Sequence, residues 1–198
     1  EFARGKRKTA LKVTGRTKRT GTKISYRPDP EIFGDIEHEP ERLTHRLEEL
    51  SYLNGGVKIT FTNEKTGETM VFQQKKGIQA YVEHLNRSRD PIHGAIYFER
   101  SRDDTQIEIA MQYNAGYLDL IYSYANNIHT AGGGTHVSGF RTALTRAINQ
   151  YARRANLLKE KDRNFSGDDV REGLTAVISI KLLHPQFLSL IHISEPTR

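Results

Sequence analysis

A run of three glycines followed closely by a histidine is the first feature of this sequence that can do chemistry. Gly132-Gly133-Gly134-Thr135-His136 stands directly before a segment with helical spacing. The backbone N–H groups at such a helix start can hold an anion, including the phosphate of a nucleotide. The run lacks the lysine that follows the glycines of a P-loop. A flexible turn with Thr135 as the helix cap therefore also explains it, and His136 is a candidate base without a placed partner.

Acidic residues near the end of the chain suit a divalent cation. Asp168, Asp169 and Glu172 lie close together in the sequence, and carboxylate oxygens are ligands of Mg²⁺ and Ca²⁺. Acids in the first turn of a helix also stabilise that helix through its positive end, which needs no metal. Both interpretations stay open at this point.

Other catalytic patterns are excluded by composition and spacing. The chain has no cysteine, which rules out a disulfide scaffold, a thiol nucleophile and a zinc site built on sulfur. Its eight histidines show no HExxH spacing, and no GxSxG motif is present. The residues alone therefore yield no catalytic constellation.

The charge of the chain is unevenly placed. The 198 residues carry a net charge of +6, and residues 1–28 hold ten Lys or Arg against the single acid Glu1. Such a stretch can neutralise the phosphates of a nucleic acid, or it can be a solvated face or pair with the acidic residues 29–50. No apolar run approaches the ~20 residues of a membrane span, and the start lacks a signal-peptide core. We expect a cytoplasmic protein without a membrane contact.

The first half of the chain contains patterns of both helices and strands. Ile24 and Tyr26 alternate with polar residues, so 10–28 is predicted as two extended segments, the second half-buried. Pro40 suits the first turn of a helix that ends at Asn54-Gly55-Gly56. Residues 57–73 are predicted as a hairpin that turns near Gly67. A short amphipathic helix is expected to follow, from about residue 78 to residue 85.

The second half is predicted to open with strands. These are 95–99 and Thr105–Tyr113, and Asn114-Ala115-Gly116 indicates a hairpin turn with 117–124 as the returning strand. A long helix follows the glycine run, Ser166 and Asp169 form a capping-box pattern, and 174–180 alternates as a last strand. The mixture favours an α+β or an α/β class. The long helix has one apolar stripe, formed by Val137, Phe140, Leu144, Ile148 and Tyr151.

Several stretches of the chain together resemble a known family. They occur in the family's order over residues 1 to about 187: EFARGK, LKVTGRTKRTGTKISYRPDPEIF, RLEELSYLNGGVKI, KKGIQAYVEHLN, PIHGAIYF, NNIHTAGGGTHVSGFRTALTRAINQYAR and SGDDVREGLTAVISIK. The chain resembles the bacterial DNA gyrase B subunits, ATP-dependent type IIA topoisomerases of the GHKL ATPase superfamily. The corresponding subunit of topoisomerase IV is the related alternative, and KKGIQAYVEHLN followed by PIH favours gyrase. A basic DNA-binding or interaction module without catalysis is the alternative that the charge pattern leaves open.

The resemblance implies an α+β fold in two parts. Residues 1–90 would be the C-terminal part of a GHKL ATP-binding α/β sandwich. Residues 91–187 would be the N-terminal part of a transducer domain with a left-handed βαβ crossover. The implied function couples ATP binding and hydrolysis to DNA strand passage and supercoiling. The implied cofactors are ATP and Mg²⁺, and the implied partners are the gyrase A subunit, DNA and a second copy that joins on ATP binding.

The resemblance assigns few site residues to this chain. Thr22 is expected to line the adenine pocket with a water-mediated contact to the base, and Gly21 is expected to keep the backbone close. The family's general base, magnesium ligand, adenine-reading aspartate and glycine-rich lid would all precede Glu1. Its γ-phosphate lysine and glutamine would follow Phe187, where this chain reads LSLIHISEPTR. We therefore expect no catalytic or metal-binding residue here, no activity of the isolated chain, and a non-native tail over 188–198 that resembles translated sequencing-adapter sequence.

Overall fold

The computed structural model describes residues 1–16, 18, 21–34 and 36–187. The predicted non-native tail, 188–198, lies outside the described residues. The chain divides into two compact units, Glu1–Leu43 and Thr44–Arg198. The domain boundary expected near residue 90 falls inside the second unit, and the division of the chain into an ATP-binding part and a transducer part stays a prediction.

The first unit contains short elements joined by exposed ion pairs. β1 (Phe2–Ala3) pairs antiparallel with β2 (Lys6–Arg7). α1 (Pro30–Phe33) begins after Asp29, whose carboxylate accepts a hydrogen bond from the Glu31 amide at 3.0 Å. The Arg4 guanidinium pairs with Asp29 at 2.8 Å and with Glu31 at 2.5 Å. These contacts join the hairpin to α1, which buries none of its residues.

The strands predicted within 10–28 are wrong for the described residues of that range, none of which belongs to a strand. Ile24 and Tyr26, expected on a half-buried face, are 81% and 78% exposed. An alternating strand is stable only when a neighbouring strand takes its hydrogen bonds and a second layer covers its apolar face. The described part of this unit supplies neither, so the alternation has no face to bury.

Two helices and the hairpin between them form where the sequence predicts them. α2 (Pro40–Leu53) has Pro40 in its first turn and ends before Asn54-Gly55-Gly56. β3 (Lys58–Asn63) and β4 (Glu68–Gln73) pair antiparallel, and Gly67 in their turn has a φ of 76°, a conformation that favours glycine. α3 (Ile78–Leu85) follows and buries Ile78, Tyr81 and Val82.

A five-stranded sheet forms the centre of the second unit. Its strands are β5 (Ile96–Arg102), β6 (Thr105–Tyr113), β7 (Leu120–Ala125), β8 (Ile128–His129) and β9 (Leu174–Lys181). α4 (Thr135–Arg154) and α5 (Gly167–Arg171) lie between β8 and β9 in the chain. The order across the sheet is β5-β6-β9-β7-β8, with β7 parallel to β9 and the other neighbours antiparallel. The parallel pair and α4 make a βαβ crossover, whose expected left hand stays a prediction.

The hairpin predicted between β6 and β7 is wrong, because β9 lies between these two strands. Asn114 and Gly116 do form a turn, but the chain leaves it away from β6. β9 is buried along almost its whole length, from Leu174 to Ile180, and a strand buried on both faces belongs in the middle of a sheet. Turn residues report only local geometry, whereas the insertion of β9 depends on residues about sixty positions away.

The sheet has a helix layer on each face. Alternate strand residues such as Ile109 and Ile178 pack with Phe140 and Leu144 of α4 and with Val170 of α5. The residues between them face the other way and pack with α2 and α3. That second cluster consists of Tyr52, Leu53, Ile78, Tyr81 and Val82 with Ala110, Tyr124 and Val177 of the strands.

α4 differs from its prediction at both ends. Its N-cap residue is Gly134 rather than Thr135, and the cap forms no side-chain hydrogen bond. Tyr151, expected on the apolar stripe, is 68% exposed, whereas Asn149 is buried. The Asn149 side chain explains the difference, because its amide group donates to the Phe165 carbonyl oxygen at 3.0 Å and its oxygen accepts from the Phe165 amide at 2.8 Å. These bonds hold the segment before α5 against α4.

Aromatic and polar contacts fix α2 and α3 on their face of the sheet. The rings of Tyr52 and Tyr81 stack with centroids 4.8 Å apart. The hydroxyl group of Tyr124, which is fully buried, donates to the Glu49 carboxylate at 2.5 Å. Burial raises the pKa of Tyr124, and the hydrogen bond to Glu49 raises it further. None of the helices in the described ranges is long and apolar enough to cross a membrane.

Candidate functional site

The two residues expected at the adenine pocket lie on an exposed segment. Thr22 and Gly21 have no regular secondary structure, and their neighbour Thr20 lies outside the described residues. A Cβ atom built on Gly21 would meet no atom within 4 Å. Among the described residues, therefore, no wall closes around Thr22. The adenine-binding role of both residues stays a prediction.

The glycine run forms a tight turn that leads into α4. Gly133 and Gly134 have φ values of 80° and 150°, and a Cβ atom on Gly134 would come within 2.9 Å of the His136 ring. His136 Nε2 lies 3.1 Å from the hydroxyl oxygen of Thr130, which donates to the Ser123 carbonyl oxygen at 3.0 Å. Burial lowers the pKa of His136, so the ring is neutral near pH 7. The contact with Thr130 gives His136 a structural role.

The acidic cluster serves as a helix cap. Asp169 and Ser166 form the predicted capping box, with Ser166 N donating to the Asp169 carboxylate at 2.7 Å and Asp169 N donating to Ser166 Oγ at 3.1 Å. These hydrogen bonds lower the pKa of Asp169. Asp168 pairs with Arg171 at 2.6 Å. Among the described residues, no group of three or more His, Asp or Glu side chains is arranged to hold a metal ion.

A groove lined by arginines runs along α4 beside α5. It has a volume of about 820 Å³, and its arginines are Arg141, Arg146, Arg153, Arg154 and Arg171. Threonine, asparagine and glutamine side chains also line it, together with Phe165 and Gly167, and no acidic residue belongs to it within the described part of the chain. We call this surface the arginine groove.

The arginines of the groove fall into two groups. Arg153 is held in place, since its guanidinium donates to the Asp162 carbonyl oxygen at 2.6 Å and to Asn164 Oδ1 at 2.9 Å. Arg171 pairs with Asp168 and lies 3.4 Å from Asp119. The described residues give no hydrogen bond or ion pair to the side chains of Arg141, Arg146 and Arg154. These three guanidinium groups are available to an anionic partner, and phosphate oxygens suit their forked donor geometry.

The sequence prediction missed the arginine groove. The apolar stripe of α4 was the feature used to predict that helix. Arg141, Thr145, Asn149 and Arg153 recur every four residues and so share a second face. This spacing was the available signal. The contribution of α5 could not be predicted from spacing, because Arg171 lies in the groove only through the tertiary fold.

Comparison with solved structures defines the class of protein. The fold is similar to the 43K ATPase domain of Thermus thermophilus gyrase B, with a TM-score of 0.74 and 39% sequence identity. The match covers 81% of this chain and 44% of that structure. The mixed sheet and helices are therefore those of a topoisomerase ATPase domain of the GHKL type, as the resemblance implies.

Sequence comparison gives the family. A family model described as DNA gyrase B matches residues 77–189, which is more than half of the chain. The gyrase B protein of Halalkalibacterium halodurans is 50% identical over 193 residues, and that of Bacillus mycoides is 49% identical over 190 residues. Each alignment covers 94% of this chain. The chain belongs to the DNA gyrase B family.

The chain is shorter than these relatives. It spans 30% of the length of the Halalkalibacterium halodurans protein and 47% of that of the Bacillus mycoides protein. Both relatives are gyrase B proteins, so the gyrase family is favoured over topoisomerase IV.

Proposed function

We propose that the chain acts as a segment of a DNA gyrase B protein that couples ATP binding and hydrolysis to DNA strand passage and supercoiling. The observation that carries this proposal is the 46–50% identity to gyrase B proteins over 94% of the chain. Gyrase A and a second copy of the gyrase B protein are the proposed protein partners. The proposed division into an ATP-binding part, 1–90, and a transducer part, 91–187, follows the same resemblance.

ATP and Mg²⁺ are the proposed cofactors of the whole subunit. The described residues of this chain do not by themselves fit such a site, because Thr22 is exposed and no metal-holding group is found among them. We therefore assign no step of hydrolysis to residues of this chain. Thr22 and Gly21 are proposed only to border the adenine of a nucleotide that other parts of the subunit hold.

The arginine groove supports a contact with DNA. It presents the unpaired guanidinium groups of Arg141, Arg146 and Arg154 beside polar side chains within the described residues. Guanidinium groups bind the phosphate backbone without reading its sequence, and the released counterions make such binding depend on salt. Strand passage acts on DNA of any sequence, so a contact of this kind suits the proposed function.

A second candidate is a basic DNA-binding module without catalysis, which the ten Lys and Arg of residues 1–28 favour. The two candidates differ in their need for ATP. A module of this kind would bind DNA equally with and without nucleotide. A gyrase B segment would add no nucleotide-dependent activity until it stands in a complete subunit.

A segment exchange tests the proposed function. Residues 1–187 replace the matching segment of the Halalkalibacterium halodurans protein, and the hybrid is assayed with gyrase A, relaxed plasmid and magnesium–ATP. We expect ATP-dependent supercoiling at a rate within about tenfold of the parent protein, since 50% identity preserves the packed core. The matched control is the host protein with its own segment re-inserted. A folded hybrid that binds gyrase A but neither hydrolyses ATP nor supercoils DNA would contradict the proposal.

A further inference from the structure

The connection after α3 is held to the end of β6 by many hydrogen bonds. This connection, residues 86–94, is called the junction segment. It contains the domain boundary predicted between residues 90 and 91. The bonds are Ile92 N to the Tyr113 carbonyl oxygen at 3.0 Å, Ala115 N to the Asp90 carbonyl oxygen at 3.1 Å, Tyr113 N to His93 Nε2 at 3.0 Å and Gln112 Nε2 to the His93 carbonyl oxygen at 2.7 Å.

A buried polar network closes the start of the junction segment. Asn86 is fully buried at the C-terminal end of α3. Its Nδ2 donates to Gln112 Oε1 at 2.9 Å, and its Oδ1 accepts from Thr175 Oγ1 at 2.6 Å and from Asn114 Nδ2 at 3.2 Å. Gln112, Asn114 and Thr175 are also buried, with at most 7% of each exposed. One amide side chain thus joins α3 to β6, to the turn after β6 and to β9.

This network makes local opening of the junction segment costly. Each buried donor or acceptor that loses its partner keeps its full desolvation penalty. Moving α3 away from the sheet would break three bonds of Asn86 at once and also separate the apolar cluster of Ile78, Tyr81 and Val82 from β6 and β9. A hinge, in contrast, needs few buried contacts and solvated backbone bonds. Asn86, at the start of the junction segment, is fully buried, whereas residues 87–92 are exposed. The buried network of Asn86 and the bonds to the end of β6, rather than burial of the segment itself, therefore oppose a hinge here.

We propose that Asn86 makes the junction segment a rigid connection, so that α3 and the five-stranded sheet move as one body. The consequence of this rigidity for the coupling of ATP hydrolysis to supercoiling rests on the proposed function. A movement of the ATP-binding part relative to the transducer part then takes place before α3 and not at residue 90. The DNA gyrase B family model is consistent with this division, because its match begins at residue 77, one residue before α3. Asn86 is a positioning residue in this proposal, since it acts through α3, β6 and β9.

Hydrogen exchange of the 198-residue chain is the first test. The amide groups of Ile92, Tyr113 and Ala115 each donate a bond that holds the junction segment. If the connection is rigid, these amides exchange only when the sheet itself opens, so we expect protection within about threefold of that in the middle of β6 and β9. Protection at these three amides more than about a hundredfold lower, with the sheet still protected, would show a hinge here and overturn the proposal.

Two substitutions test the role of Asn86 itself. Asn86→Ala removes all of its side-chain bonds, and Thr175→Val removes one hydroxyl group while keeping the side-chain shape. We expect each variant to raise exchange at the three reporter amides by about tenfold or more relative to the middle of β6. The double variant is expected to show clearly less than the sum of the two increases, because the two residues share one hydrogen bond, although Thr175 Oγ1 also accepts from Asn114 Nδ2 at 3.3 Å. Additive effects, or unchanged reporters in folded Thr175→Val, would overturn the assignment.

Thr62→Val is the matched control for the hydroxyl substitution. Thr62 lies on the exposed β3–β4 hairpin, where its hydroxyl group contacts that of Thr69. The same chemical change there leaves the reporter amides unaltered if the network is the cause. An equal change in both variants would mean that any loss of a threonine hydroxyl loosens the chain, which would overturn the role given to Thr175.

The hybrid protein used to test the proposed function also tests the consequence for coupling. With Thr175→Val in the hybrid, we expect ATP hydrolysis within about twofold of the unsubstituted hybrid and several-fold fewer superhelical turns per ATP hydrolysed. Unchanged turns per ATP, despite faster exchange of the reporters, would overturn the role in coupling. If the unsubstituted hybrid has no ATPase activity, the proposed function fails, whereas the exchange experiments still decide whether the junction segment is rigid.

Discussion

The arginine side chains of α4 are the groups through which we expect this chain to bind DNA. Arg146 lies in the arginine groove without a partner among the described residues. We expect Arg146→Ala to weaken binding of the chain to duplex DNA of any sequence by about three- to tenfold near 0.1 M salt, and to reduce the slope of log affinity against log salt by about one. Fluorescence anisotropy with a labelled duplex at several salt concentrations measures both quantities.

The matched control for the groove is Arg102→Ala. Arg102 is an exposed arginine at the end of β5, where it lies 3.8 Å from Asp103. Its substitution removes the same charge from a surface outside the groove. Equal losses of affinity for the two variants would mean that net charge, rather than the groove, determines binding, and would contradict the site.

His136 gives the stability of the chain a dependence on pH. Burial lowers its pKa from the usual 6.5 in the folded chain, whereas the unfolded chain keeps the usual value. Between these two pKa values the unfolded state binds more protons, so the free energy of unfolding falls as the pH drops below 6.5 towards the folded pKa. We expect His136→Gln to flatten this part of the profile, as measured by urea unfolding between pH 7.5 and about pH 5.

His38→Gln is the matched substitution for that measurement, since it removes an imidazole from an exposed segment of the first unit. An equal flattening of the profile in both variants would contradict the role given to the burial of His136. A profile of His136→Gln that follows the unsubstituted chain at every pH would show that burial does not penalise the charged ring.

Phe140 is the anchor of α4 on the sheet. It is buried within the cluster formed with Leu144, Val170 and Ile178. Phe140→Ala removes this contact and leaves a cavity, so we expect the free energy of unfolding to fall by about 3–5 kcal/mol. Tyr151→Ala on the same helix is the control, since Tyr151 is 68% exposed and its loss is expected to cost less than about 1 kcal/mol. Chemical unfolding followed by circular dichroism compares the two, and equal losses would contradict the packing of α4.

Local patterns predicted most elements, because the residues that form them are close in the sequence. The period of α2, the turn at Gly67 and the alternation of β6 each depend on neighbours within a few positions. The pairing of β6 with β9 instead joins residues about seventy positions apart, and nothing in the local pattern reports it. Tyr151 was placed wrongly because a helical stripe says which residues align, and not that the segment before α5 packs beside Asn149.

The candidate site was less predictable than the fold, for a related reason. The capping role of Asp169 was accessible, since its partner Ser166 stands three residues earlier. The arginine groove needs α5 and the segment before it to fold back on α4, and the Asn149 bonds that hold them cannot be anticipated from spacing. The roles given to Thr22 and Gly21 came from the resemblance alone, and they stay predictions.

At the scale of the whole molecule, the second unit is a sheet held between two helix layers. α4 and α5 cover one face and carry the arginine groove on their outer side, while α2 and α3 cover the other. β6 and β9 contribute residues to both clusters, so the sheet connects α3 with the helices that carry the arginine groove. Under the proposed function, this packed connection is the part of the chain in which coupling between nucleotide and DNA is to be tested.

The isolated 198-residue chain is expected not to hydrolyse ATP. Hydrolysis needs a group that positions the attacking water, a metal ion on the phosphates, and cations that offset the charge developing on the γ-phosphoryl group. The described residues show no metal-holding group, and Thr22 lies on an exposed segment. A surface rich in arginine attracts anions such as ATP without a specific site, so binding is a poor readout and phosphate release is the quantity to measure.

Phosphate release with magnesium–ATP is therefore compared between the isolated chain and the hybrid protein that carries residues 1–187. We expect release at the background rate from the isolated chain and restored turnover in the hybrid, because only the hybrid joins this segment to the remaining parts of the nucleotide site. Thr22→Ala in the hybrid is expected to raise the KM for ATP by about three- to tenfold with little change in kcat, since a lost contact to the base weakens binding before and in the transition state alike. Turnover by the purified isolated chain that disappears on Thr22→Ala would mean that these residues contain a complete nucleotide site, and the proposal of a divided site would be abandoned.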